Sequence, residues 1–391
     1  MLALRLARGA HPLVQLRRLL VAAASAGTGF LLLCTLGYAM GHPESSGDAV
    51  LRLAWCVVPL AATVYLAVAV ARSDPGTKPR AGLSAVGLGP GRLTLLASVS
   101  TAVACTLGST LALLFFLHLR GDLTGLPFDG AARGLLAADR PLPLAATLTL
   151  LAFVPLAAST ASALVLRPRI VKARGDKAAT DEPQDLKEPA PAPSGLPWGV
   201  ALLAAGLAVE TYAAHARGAS GFPMPGGLGG SPSGVLAGWA LTAVGLALVG
   251  PGLTYQCGRA VQAVRPGAVR LLAGRVLMEE AGRIGRPLGV VCAVASGVYA
   301  ATVLAGARPA LGPLSALGGV LVVGCTLATL ATAAVEARQV RRHTQTALLR
   351  LGAPATLLRS SAVLRAGALL AVFGPLTWAV AELSAAPLLT R

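Results

Sequence analysis

The stretch Glu336-Ala337-Arg338-Gln339-Val340-Arg341-Arg342-His343-Thr344-Gln345-Thr346-Ala347-Leu348-Leu349-Arg350-Leu351-Gly352-Ala353-Pro354 decides how the chain is read. An apolar run long enough to cross a bilayer precedes it, and another begins soon after. It is therefore a loop flanked by membrane. Val340, Thr344, Ala347, Leu348 and Leu351 recur at helical spacing, while Arg338, Arg341, Arg342, Gln345 and Arg350 take the other side. That spacing predicts an amphipathic helix continuing out of the membrane. Gly352 supplies a left-handed stop, and Pro354 bars resumption in register.

A weaker copy lies upstream. Residues Arg72 to Arg80 lead into Leu83-Ser84-Ala85-Val86-Gly87-Leu88-Gly89-Pro90-Gly91-Arg92-Leu93, again between apolar runs. Leu83, Val86 and Gly87 line up with Leu348, Leu351 and Gly352 at one constant offset. The pattern predicts a duplicated chain.

Composition sets the class. Of 391 residues, 55% are hydrophobic and only 13% charged, with a mean hydropathy of +0.70, more apolar material than one soluble core of this length can use. The expectation is an all-α polytopic membrane protein with about nine spans, in a range of eight to ten. The candidate spans are 19–40, 53–71, 93–119, 142–166, 198–216, 235–257, 288–307, 310–335 and 360–386. Arg5, Arg8 and Arg17-Arg18 precede the first, whose apolar run is too long for a cleaved signal and is expected to stay as a span.

The net charge of +17 does not point to nucleic acid, because the basic residues lie between apolar spans and aromatics for base stacking amount to 4%. With the N-terminus inside, the inner connections hold all but Arg52, Arg120, Arg133, Arg140, Arg217, Arg308 and Arg391 of the 33 lysines and arginines. Positive residues stay on the cytoplasmic side, so this asymmetry predicts a cytoplasmic N-terminus in a cell membrane and puts both amphipathic loops in the cytoplasm.

Residues 120–141, with Asp122, Asp129 and Asp139 beside Arg120, Arg133 and Arg140, are expected to form a solvated outer loop. Residues 167–197 mix charge with proline and are expected to be a disordered cytoplasmic linker. Gly218 to Gly234 reads as an outer turn closing a hairpin of two spans, 198–257. The basic segment Arg270 to Arg286, containing Glu279-Glu280, then opens a second unit that echoes the start of the chain. Four spans plus a two-span hairpin make an even number, so the second unit re-enters in the same orientation and the repeat is parallel.

Catalytic signatures are missing. The chain has no Walker A loop, no H-E-x-x-H and no G-x-S-x-G; Gly87-Leu88-Gly89-Pro90-Gly91 lacks the Lys and Ser/Thr of a phosphate cradle. Cys34, Cys56, Cys105, Cys292 and Cys325 lie inside apolar runs and Cys257 at the end of one, without CxxC or Cys/His spacing, so they read as packing material. No catalytic, metal or cofactor-binding residue is assigned, and no cofactor is expected. Setting aside Arg365 at the inner membrane edge, Glu210, Glu382, His118 and His215 are the ionisable groups within spans, all toward the outer ends where the interface could satisfy them. Without a midplane relay, an ion-coupled carrier is disfavoured. Pro59, Pro155, Pro251 and Pro375 are expected to kink their helices.

A basic helix, a leucine-rich stretch closing on L-G-A or V-G-L, a turn and an immediate new span, in 72–119 and again in 337–386, resemble the signature of the FtsX-like permeases of ABC transporters. The resemblance implies two parallel four-span units, 1–166 and 258–391, the second lacking its last span, joined by the 198–257 hairpin after the 167–197 linker. It implies a permease subunit of an export or lipid-handling system, not itself an enzyme, whose loops 72–92 and 336–360 dock on a separate cytoplasmic ATPase. Carried over by residue, Arg338, Arg341, Arg342, Leu348, Leu351 and Gly352 match the coupling segment of the second unit, and Leu83, Val86, Gly87 and Arg92 that of the first. The expected partners are that ATPase, membrane lipids, and a second copy or a second permease. A scaffold that signals to envelope enzymes through the same ATPase, and an ion-coupled carrier, are the alternatives.

Overall fold

Bilayer thickness dictates the lengths of the helices. The structure, a computed structural model, describes residues 12–74, 90–123, 130–167, 192–215, 221–223, 230–263, 267–305 and 312–389. Among them are nine helical segments long and apolar enough to cross a membrane, one for each span expected from the sequence. The protein is an all-α, multi-pass membrane protein. The helices are α1 (Pro12–Gly41), α2 (Ser46–Trp55), α3 (Val57–Ser73), α4 (Pro90–Arg120), α5 (Leu144–Leu166), α6 (Leu196–His215), α7 (Ser233–Ala263), α8 (Ala268–Ala305), α9 (Pro313–Arg350) and α10 (Ala355–Leu389). A short 3-10 turn, α2 and α3 together make the second span.

Packing divides the chain into two units: Met1–Pro168 with Leu311–Thr332, and Arg169–Ala310 with Ala333–Arg391. The first half of α9 therefore packs with the first unit and its second half with the second, a division that differs from the sequence repeat. Apolar spans resemble one another in composition, so the partner of each is set by shape.

In the first unit, polar side chains tie helices together where no water reaches. Ser25 Oγ donates to the Cys105 carbonyl at 2.8 Å, the Thr28 and Thr63 hydroxyls share a hydrogen bond of 2.8 Å, and Ser109 Oγ donates to the Leu151 carbonyl at 3.2 Å. Val21, Leu66, Cys105 and Cys325 fill the core between them. A methyl group on Gly108 would lie 2.8 Å from Ser25 Cβ, so that glycine lets α1 and α4 approach closely. On α4 the exposed residues Leu95, Val99, Val103, Leu107, Leu111 and Leu114 follow helical spacing, a stripe suited to lipid.

Among its described residues the 120–141 loop is solvated in part, with Asp122, Arg133, Asp139 and Arg140 exposed, but it is anchored at two points. Arg120 is 2% exposed, with Nε 3.3 Å from Asp122 and Nη2 on the Arg140 carbonyl, while Leu136 closes over Leu33, Cys34 and Phe116. Leu136 gives this segment an apolar anchor while Leu135 stays 77% exposed, and the buried guanidinium is met by the Arg140 carbonyl and the nearby Asp122 carboxylate.

In the second unit glycines set the spacing. A Cβ on Gly206 of α6 would lie 2.6 Å from the Thr242 nitrogen, and one on Gly245 of α7 would lie 2.6 Å from that of Leu203. Between α7 and α8, a Cβ on Gly285 would lie 2.5 Å from Pro251 Cα. Lipid offers no hydrophobic drive for helix association, so close backbone contact between small residues carries it. The basic segment expected before span seven is continuous with that span in α8, through Pro287. Pro155 and Pro251 also lie inside their helices. The outer turn forms a small antiparallel ribbon in which Gly221 pairs with Pro232. Most of the linker expected at 167–197 lies outside the described residues.

Candidate functional site

At 38 residues, α9 is about 57 Å long, nearly twice the roughly 30 Å hydrocarbon core, so its C-terminal part must leave the membrane. It ends as its sequence dictates. Gly352 takes φ +86°, its N–H bonds to the Leu349 carbonyl at 3.1 Å, and the Ala353 N–H reaches the Leu348 carbonyl at 3.1 Å. These are the two bonds of a Schellman motif, and α10 begins three residues later at Ala355.

The projecting part has two characters. Arg338, Arg342 and Arg350 are exposed, as expected of its basic side. On the other side Val340, Thr344 and Ala347 are exposed too, Leu348 is half-buried, and Leu349 and Leu351 are 48% and 84% exposed. The second unit leaves this apolar side largely uncovered.

Arg341 behaves differently from its neighbours. Its Nη1 donates to Glu280 Oε2 on α8 at 3.0 Å and lies 2.9 Å from Oε1 in an ion pair, with the two side chains 19% and 10% exposed. Arg365, near the start of α10, lies within electrostatic reach of both. Arg341 is thus a tie between helices as well as part of the projecting helix. Sequence reasoning did not single out Glu280, although an acid pair in an otherwise basic segment was the available signal.

Of the matching residues in the first copy, Leu83, Val86 and Gly87 lie outside the described residues, and Arg92 is exposed at the first turn of α4. The structure therefore describes one of the two expected coupling segments.

Of the two acids expected at the interface, Glu210 is enclosed by protein, whereas Glu382 stays exposed as expected and gains a tyrosine partner. Glu210 is 1% exposed and accepts a hydrogen bond of 2.8 Å from Thr242 Oγ1, while Glu382 accepts one of 2.6 Å from the Tyr299 hydroxyl. Close approach of α6 and α7 at Gly238 brings Thr242 to the Glu210 carboxyl and shuts out water; snorkelling is not needed. His215 Nδ1 contacts the Thr211 carbonyl at 2.7 Å, one turn back in its own helix. All six cysteines are buried and free, as their apolar settings imply. Among the described residues no group of His, Cys, Asp and Glu could hold a metal ion.

No protein-family model, curated protein or solved structure matches the chain.

Proposed function

We propose that the chain is the membrane-spanning permease subunit of an ABC-type export or lipid-handling system, driven by a separate cytoplasmic ATPase. The observation that carries this reading is the projecting end of α9, a helix continuous with a membrane span whose apolar side stays uncovered up to Leu351. An amphipathic helix of this kind fits a groove on a partner. Because it is one rigid element with the span, force applied at its tip reaches the membrane. The resemblance of 337–386, repeated in 72–119, to the FtsX-like coupling segment supplies the class of partner. The energy source must come from that partner, since the chain carries no Walker A loop.

The test is the pair Leu348→Asp and Leu351→Asp, compared with the parent chain at matched membrane expression. Burying a carboxylate in an apolar groove costs several kcal/mol, enough to empty a micromolar interface. Co-purification of the ATPase and its stimulated hydrolysis should both be lost while the chain stays inserted. Full ATPase retention by both variants refutes the coupling role. Loss of transport into vesicles with hydrolysis intact would favour the signalling scaffold.

A further inference from the structure

Three helices of the second unit bring two guanidinium groups to one carboxylate. Glu280 comes from α8, Arg341 from α9 and Arg365 from α10, and all three are half-buried or buried. Glu279 and Arg283 flank the cluster and offset each other, so Glu280 balances only one of the two arginines. Arg341 places Nη1 on Glu280 and leaves its Nε buried with no acceptor among the described residues. Arg365 turns its Nε back to the Ser361 carbonyl of its own helix at 3.3 Å. One positive charge and one N–H without an acceptor are left over. An oxygen-rich anion answers both the surplus charge and the unpartnered N–H, which water answers only in part.

Two further features bear on which anion. Arg341 lies six residues beyond Val335, where the apolar run of α9 ends, about 9 Å along the helix and at the depth of lipid headgroups. On the outer face of α10, away from Arg365, Val363 is 72% exposed and Leu370 73%, an apolar surface suited to the acyl chains of lipid around this helix. We propose that Arg341 and Arg365, spaced by Glu280, bind the phosphate of an anionic phospholipid in the leaflet on the basic side of the protein. Glu280 serves as the spacer: it anchors Arg341 to α8 and keeps one guanidinium edge directed at the lipid. Basic pockets between spans on this side of a membrane are suited to such headgroups.

The experiment uses the full chain, delipidated in detergent and offered phosphatidylglycerol, phosphatidylcholine or inorganic phosphate, with bound lipid read by native mass spectrometry. Phosphatidylglycerol should be retained about tenfold over phosphatidylcholine, whose choline cancels the phosphate charge that the surplus arginine attracts. Arg365→Gln, which leaves the Glu280–Arg341 pair intact, should abolish that preference, while Arg350→Gln on the exposed helix end should keep it. Equal retention of the two lipids by the parent chain overturns the proposal without recourse to any variant, and so does a preference that survives Arg365→Gln. If inorganic phosphate binds through Arg365 while the lipids are not distinguished, the ligand is a free anion and the lipid assignment fails. No ATPase enters this test, so its outcome is separate from that of the permease reading.

Discussion

Gly238 and Gly324 are both glycines in the middle of apolar helices, and the sequence does not tell them apart. A Cβ on Gly238 would lie 2.9 Å from the Glu210 nitrogen and 2.9 Å from the Gly206 carbonyl oxygen, both backbone atoms that cannot move aside cheaply. A Cβ on Gly324 would meet nothing within 4 Å. Gly238→Ala should therefore cost about 1–3 kcal/mol, the usual range for overpacking, and loosen the seat of Glu210. Gly324→Ala should be neutral or gain up to about 1 kcal/mol from helix propensity. Thermal unfolding of the two variants in the same detergent checks the contrast; equal losses would mean that α6 and α7 do not cross at Gly238. The same limit on reading applies to Glu210 itself. A rare acid in a span is visible in the sequence, but its partner Thr242 lies on the next helix, and only the glycine crossing brings the two together.

At the scale of elements, stops were more legible than joins. The end of α9 follows from local chemistry, because a glycine can take a positive φ without a Cβ penalty, and the observed φ of +86° at Gly352 meets that expectation. The join within α8, between a basic segment ending at Arg286 and a span starting at 288, runs through Pro287: a proline forfeits one helical hydrogen bond, yet the flanking turns and neighbouring helices can keep the helix whole. The loop after α4 was legible only in part: most of its described charges are exposed, but its anchors were not visible. Its charges suggest water, but Leu136 and the guanidinium of Arg120 find partners inside the first unit. Gly352→Ala isolates the stop from everything else, since no atom crowds a Cβ there and only the backbone conformation is penalised, by about 1–2 kcal/mol. Hydrogen exchange should quicken in a peptide covering 344–353 and stay unchanged over 313–332. Unchanged exchange at the tip would show that the last turn is held by something other than its own cap.

At the scale of the whole molecule, the number of spans was legible because a bilayer fixes how many apolar residues a crossing needs, and all nine expected runs became helices. Which spans pack together was not legible. Leu321 of α9 sits over Gly27, and Cys325 lies 4.0 Å from Thr63, so the start of α9 belongs with the first unit, a matter of side-chain fit that no hydropathy pattern records. Orientation rests on a separate physical bias, the retention of lysine and arginine on the cytoplasmic side, and it carries a definite expectation. If the basic connections are inside, nine crossings would put the N-terminus in the cytoplasm and Thr390 outside. Single cysteines at Ser46 and Thr390, placed in a cysteine-free background, should react with an impermeant maleimide on intact cells. A cysteine at Gln339, on the exposed side of the projecting helix, should react only after the membrane is opened. Replacing the native thiols should disturb this little, since each is a small buried group with no bonded partner sulfur. Protection of Thr390 alone would mean that one of the last two helices does not cross. Labelling of Gln339 from outside would place the tip of α9 away from any cytoplasmic ATPase and end the coupling proposal, whatever the leucine variants did.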